Sequence, residues 1–73
     1  MILSVEERKV LEVIQGTVQV QKTRPFLISE ISELSGLKKE EVGEALFHLE
    51  RDSRWIRTLQ VGRYPVMHVK LLK

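Results

Sequence analysis

The sequence predicts a small α+β fold in which three helices precede a C-terminal β-hairpin. In the first two thirds of the chain, apolar residues recur at spacings of three and four, the period of a helix packed on one side. Residues 55–61 and 66–72 are instead rich in Val, Ile, Thr and Leu, which favour strands. The Gly-Arg-Tyr-Pro segment between them has the composition of a turn. Because the 73 residues contain no linker or repeat, we expect residues 1–73 to form one domain.

The first helix is predicted to begin after Ser4. Ser4 and Glu7 have the spacing of a capping box, in which each side chain bonds the backbone near the other. Gly16 weakens the helix, so it is expected to end either near Gly16 or at about Gln21. The apolar stripe of this helix consists of Val10, Leu11, Ile14 and Val18.

Two shorter helices are predicted after Pro25, which cannot occupy a helix interior and leaves residues 23–27 extended or in a loop. Ser29 is the expected N-cap of the second helix, and Gly36 is expected to end it in the left-handed conformation. Leu37 follows as the apolar residue of the turn. The apolar positions of these two helices are Ile31 and Leu34 in the second, and Val42, Ala45, Leu46 and Leu49 in the third.

Two helices joined by a short glycine turn constitute a helix-turn-helix motif. With one helix before it and a hairpin after it, nearly the whole chain resembles the winged helix-turn-helix domains of MarR-like and ArsR-like regulators. The resemblance implies binding of double-stranded DNA in transcriptional regulation, and homodimers where paired half-sites raise affinity. In such domains the C-terminal hairpin is called the wing. The resemblance also implies a short third strand at residues 23–27, beside this wing.

The predicted core combines the apolar stripes of the helices with the inward positions of the strands. Trp55 is expected to bury its indole under the root of the wing, and His68 is expected at the surface or half-buried. The core residues are Leu3, Val10, Leu11, Ile14, Val18, Phe26, Ile28, Ile31, Leu34, Leu37, Val42, Ala45, Leu46, Leu49, Ile56 and Leu71.

Composition excludes several classes of protein. The chain has no cysteine, which rules out disulfides and thiolate zinc sites and fits a reducing cytoplasm. No apolar run approaches the roughly 20 residues that cross a bilayer, and Met1–Leu3 is too short for a signal-peptide core. We therefore expect a cytoplasmic protein without a membrane partner.

Charge is distributed unevenly along the chain. Residues 1–50 hold six Lys or Arg and nine Glu, a net charge of −3, whereas residues 51–73 hold six Lys or Arg and one Asp, a net charge of +5. Such a basic segment is either a solvated surface or a footprint for phosphates. On the second interpretation, the nucleic-acid-binding residues are Lys38, Lys39, Arg51, Arg54, Arg57, Arg63 and Tyr64.

The outward face of the third helix argues against deep insertion into DNA. A step of about 100° per residue places Glu40, Gly43, Glu44, Phe47 and Arg51 opposite the apolar face. A carboxylate can accept a hydrogen bond from cytosine N4, but two glutamates would meet the negative potential of the duplex.

Two interpretations therefore stay open. In the first, Arg63 of the wing reaches a minor groove while Lys39 and the three arginines 51, 54 and 57 hold phosphates. In the second, the domain is a protein-interaction module within a larger complex, with Glu40, Glu44 and Phe47 as its binding surface.

The run from Val42 to Leu49, followed by Tyr64-Pro65, is also similar in spacing to the Z-alpha domains that bind left-handed DNA. In that family an asparagine, an arginine and a tyrosine of the third helix contact the DNA, and a proline pair and a tryptophan lie in the wing. Here the three helix positions are Gly43, Glu44 and Phe47, and of the wing residues only Pro65 is present. The resemblance is one of shape and does not extend to the contacting residues.

We expect no enzymatic activity and no cofactor. The sequence has no glycine-rich phosphate loop or nucleophile elbow. Glu40, Glu44 and His48 lie on one helical stripe and include types that ligate divalent ions, but the simpler interpretation is a solvated face with a Glu44–His48 pair. No metal site is therefore predicted.

Overall fold

A computed structural model describes residues 2–60 and 66–73. The described residues form three helices and a three-stranded antiparallel sheet, so the predicted α+β class is confirmed. None of the helices in these two segments is long and apolar enough to cross a bilayer. In chain order the elements are α1 (Val5–Thr17), β1 (Thr23–Leu27), α2 (Ile28–Ser35), α3 (Lys39–Arg51), β2 (Ile56–Gln60) and β3 (Val66–Leu71).

Helix α1 begins where the sequence predicts. Ser4 has extended backbone angles, and its side-chain oxygen accepts a hydrogen bond of 3.1 Å from the N–H of Glu7. At the other end, the N–H of Val18 donates to the carbonyl of Ile14, and the helix ends at Thr17. Of the two predicted ends, the one near Gly16 is therefore confirmed.

The predicted N-cap of α2 is wrong. The helix begins at Ile28, one residue before Ser29, and Leu27 occupies the N-cap position without a side-chain hydrogen bond. Leu27 is also the last residue of β1, where it pairs with Val66 of β3. Because this pairing holds Leu27 extended, the chain passes from strand to helix with no residue between them.

The turn after α2 follows the prediction at Gly36. Its φ of 74° is left-handed, a conformation that costs glycine least, and its N–H donates to the carbonyl of Ser32. The hydroxyl of Ser32 donates in turn to the carbonyl of Leu37, whose side chain packs against the core. Leu34 was expected in the core but is 58% exposed. This short helix buries only Ile31, and Leu34 lies about 60° around the axis from it.

Helix α3 presents the predicted apolar face to the interior. Its first turn is closed by the carboxylate of Glu41, which accepts a hydrogen bond of 3.1 Å from the N–H of Lys38. The buried residues of this helix are Val42, Ala45, Leu46 and Leu49, as expected from their spacing.

Strand β3 lies in the centre of the sheet, between β1 and β2. The strand at residues 23–27 is therefore confirmed, and it pairs with β3 so that Thr23 faces Lys70. The last two strands are slightly shorter than predicted, because Trp55 and Leu72 lie outside them and are joined by a hydrogen bond from the N–H of Leu72 to the carbonyl of Trp55.

The core lies between the helices and one face of the sheet. Most of the predicted core residues are buried, and Leu3, Ile28 and Leu37 are partly buried at its margin, as is the half-buried Trp55. The prediction omitted Val69, which is fully buried in β3, and wrongly included Leu34. The buried residues are Val10, Leu11, Ile14, Val18, Phe26, Ile31, Val42, Ala45, Leu46, Leu49, Ile56, Val69 and Leu71.

The carboxylate of Glu50 connects the end of α3 with the edge strand β2 through hydrogen bonds. Glu50 accepts hydrogen bonds from the N–H of Thr58 at 3.2 Å and from its hydroxyl at 2.8 Å. Since β2 is an edge strand, this contact satisfies one backbone donor that no further strand covers. It also fixes the end of α3 beside β2.

Candidate nucleic-acid interface

The surface of α3 that faces away from the core has the composition that its helical period predicts. Glu40, Glu44, Phe47 and Arg51 are exposed, and Gly43 is half-buried. Phe47 is 55% exposed, and the guanidinium of Arg51 lies 5.3 Å from the centre of its ring. This face therefore combines two carboxylates with one aromatic ring and one cation.

Basic side chains lie at both ends of α3. Lys38 and Lys39 are exposed at its start, and Arg51 is exposed at its last turn. With a rise of about 1.5 Å per residue, Lys39 and Arg51 lie about 18 Å apart along the axis. This separation exceeds the width of a DNA major groove, about 12 Å, so cations at the two ends can reach phosphates on opposite sides of it.

A second group of cations lies where α3 leads into the sheet; Arg54, Arg57 and Lys70 form this β2 cluster. Arg54 and Arg57 are exposed and border the same surface depression of about 670 Å³. Arg57 is paired across the strands with Lys70, so the two side chains share the outer face of the sheet. Like charges placed directly opposite each other destabilise a sheet, and a bound anion would relieve that repulsion.

The contribution of Lys70 was missed by the site prediction. Its position between the buried Val69 and Leu71 shows that it points outward. The position of Arg57 opposite Lys70, however, follows only from the register of β2 and β3, which the sequence does not specify. Within the described residues, neither cation of this cross-strand pair forms an ion pair with a carboxylate.

The backbone of Arg54 has an unusual conformation. Its φ of 54° is left-handed, which is uncommon for residues other than glycine. The link that contains it is held by the N–H of Trp55, which donates to the carbonyl of Leu49. Arg54 therefore adopts, at an exposed position, a backbone conformation that is less favourable for arginine than for glycine.

A cleft of about 230 Å³ separates α3 from the sheet. Gly43, Leu46 and Phe47 line it from the helix, and Met67 lines it from β3. Ile28, Glu50 and Thr58 complete its walls. The lining is mostly apolar, in contrast to the exposed glutamates next to it.

Two predicted residues lie beyond the described segments, and one further cation of the basic segment makes local contacts. Arg63 and Tyr64 fall outside the described residues, as does the whole of the predicted turn. The amino group of Lys73 lies 5.1 Å from the centre of the Trp55 ring and donates to the carbonyl of Ser53. It therefore covers Trp55 and does not extend the β2 cluster.

His48 pairs with a different carboxylate from the one expected. Its Nδ1 lies 2.7 Å from a carboxylate oxygen of Asp52, one turn toward the C-terminus, whereas Glu44 was the predicted partner. This hydrogen bond raises the pKa of His48 above its usual value, with smaller contributions from the charges of Asp52, Glu7 and Glu44. In the described part of the chain, no three His, Asp or Glu side chains form a group that could hold a metal ion.

Comparisons of this chain with family models, with curated proteins and with solved structures find no match.

Proposed function

We propose that this chain is a winged-helix domain that binds double-stranded DNA and acts in transcriptional regulation. The order of elements supports the fold, because α2 and α3 are joined by a short glycine turn and are followed by two antiparallel strands. In this interpretation α3 is the helix that faces the duplex, and the β2–β3 pair is the wing.

The observation that carries the proposal is the placement of the cations. Lys38, Lys39 and Arg51 lie at the two ends of α3, and the β2 cluster begins with Arg54, three residues after the helix. Contacts to phosphates supply most of the affinity of non-specific DNA binding and fix the orientation of the protein.

The acidic centre of α3 determines how the domain docks. Glu40 and Glu44 lie between the basic ends of the helix and oppose close approach to the phosphates. We therefore infer a shallow docking, in which Lys38, Lys39 and Arg51 straddle the major groove and Arg54 and Arg57 hold the adjacent backbone.

The test is the salt dependence of binding to a short random-sequence duplex, followed by fluorescence anisotropy. If these five cations each contact one phosphate, affinity should fall about 500-fold between about 50 and 200 mM salt. Arg57→Ala should weaken binding and reduce the slope of log K against log salt by about one. Absence of binding at low salt would overturn the proposal.

Arg8→Ala is the matched control, since Arg8 is an exposed arginine on α1 and distant in sequence from the β2 cluster. Both variants lose one positive charge, so the net charge of the protein changes equally. Equal loss of affinity in the two variants would show that overall charge, and not the β2 cluster, attracts the DNA.

One observation favours a second function, a protein-interaction module that uses α3. Phe47 is 55% exposed beside an apolar cleft, and such a ring is typical of protein interfaces. If this is the function, Phe47→Ala should disrupt a complex recovered from cells, and the parent protein should not bind the random duplex.

A further inference from the structure

Gly43 lies in the interior of α3 without a conformational or steric reason within the chain. Its φ is not left-handed, and a Cβ atom built at this position would have no neighbouring atom within 4 Å. Glycine in a helix interior is less favourable than alanine. The structure therefore bears this cost at a site where a larger residue would fit.

The missing side chain leaves an open notch on the face that the proposed function turns toward DNA. Phe47, one turn further along the helix, forms one side of the notch. The cleft continues from there to Met67 and Ile28, so the notch opens into an apolar space of about 230 Å³. Glu50 also lines this recess, while Lys39 and Arg51 lie toward the two ends of the helix, so an apolar group that enters the recess would lie between two phosphate contacts.

We propose that Gly43 and Phe47 form a subsite for the 5-methyl group of thymine, an inference that rests on the proposed function. The thymine methyl is the one apolar group that DNA bases present in the major groove. The shallow docking is kept, because glycine at position 43 has no side chain to hold the base away and the long side chain of Phe47 extends from the helix to cover the methyl group. The proposal makes Phe47 a residue that determines specificity.

The neighbouring carboxylates fit the same base pair. In an A·T pair the adenine N6 amino group lies in the major groove beside the thymine, and it donates hydrogen bonds. Glu44 is exposed and lies about 60° around the helix axis from Phe47, so its carboxylate can accept that hydrogen bond. The carboxylate of Glu44 then accepts a hydrogen bond from the adenine amino group, and the phosphates contact Lys39 and Arg51.

The test compares two alternating duplexes of equal length, one of A and T and one of A and U, which differ only in the 5-methyl group. The parent protein should bind the thymine duplex about four-fold more tightly, the effect of burying one methyl-sized group. In Phe47→Ala the ratio should fall to about one. Val5→Ala, which truncates an exposed apolar residue on α1, is the matched control and should keep the four-fold ratio.

Gly43→Ala provides an independent measurement, because it separates stability from recognition. The added methyl should raise the thermal midpoint by about 4 °C, since alanine favours the helix and meets open space. The same methyl group should fill the notch and reduce the ratio of the affinity for the thymine duplex to the affinity for the uracil duplex. A variant that is more stable and keeps the parent's ratio would overturn the subsite.

The failures of the two proposals are distinguishable. If the parent binds both duplexes equally well, the methyl subsite is wrong while DNA binding stands. If it binds neither duplex at low salt, the proposed function is wrong and the subsite falls with it.

Discussion

At the scale of the residue, the clearest local interaction is the pair formed by His48 and Asp52. Both side chains are about half exposed, and the hydrogen bond between them raises the pKa of His48. We expect Asp52→Asn to lower that pKa toward the ordinary value of about 6.5, as measured by NMR titration of the imidazole. Glu33→Gln, which changes an exposed carboxylate on α2, should leave the titration of His48 unchanged.

The direction of the pH effect on stability follows from the raised pKa. The folded state binds the proton of His48 more tightly than the unfolded chain, so the pair stabilises the fold fully below about pH 6.5. That stabilisation is lost as the pH rises through the folded-state pKa. The thermal midpoint of the parent should therefore exceed that of Asp52→Asn at about pH 5.5, and the two midpoints should become equal at about pH 8. A difference that grows with pH would contradict the assignment.

The sequence alone does not indicate which of two carboxylates forms the hydrogen bond with His48. Glu44 and Asp52 lie four residues before and after it, so helical spacing offers both partners equally. The choice depends on side-chain rotamers at the end of α3, where Asp52 is the C-cap residue. The composition of the outward face of this helix was predictable, whereas the pairing within it was not.

At the scale of the element, the two serines predicted as N-caps provide a matched pair. Ser4 caps α1 through its hydroxyl, whereas Ser29 lies inside α2. We expect Ser4→Ala to lower the free energy of unfolding by about 1 kcal/mol, and Ser29→Ala to change it by less than about 0.5 kcal/mol. Denaturant unfolding of the two variants measures both values, and a larger loss for Ser29→Ala would contradict the start of α2 at Ile28.

The difference between these helices shows which parts of the fold were predictable. The position of α3 follows from four apolar residues within one helical stripe, a purely local pattern. The start of α2 depends on the pairing of Leu27 with Val66, residues far apart in the sequence. The cross-strand pair of Arg57 and Lys70 has the same origin. A single sequence carries local periodicity directly but does not specify strand register, so the cluster at β2 could be predicted only in part.

At the scale of the whole molecule, the division between acidic and basic segments should govern association with DNA. Glu44→Lys places a positive charge at the centre of the exposed face of α3 and removes the repulsion between Glu40 and Glu44. Because Glu44 is exposed, the thermal midpoint should change little, and affinity for a random duplex should increase several-fold, as measured by anisotropy.

Glu33→Lys changes the net charge of the protein by the same amount from an exposed position on α2. If α3 faces the duplex, Glu44→Lys should strengthen binding more than Glu33→Lys does. Equal gains would mean that only the total charge matters. Strong destabilisation by Glu44→Lys would instead contradict the exposed position of this side chain.

The central place of β3 in the sheet also bears on the order in which the molecule assembles during its synthesis. β3 is the last of the six elements along the chain, and β1 and β2 each pair with it and not with each other. Until residues 66–71 have left the ribosome, neither outer strand has a partner in the sheet. The three-stranded sheet therefore forms in one late step, because β1 and β2 both require β3 as their partner.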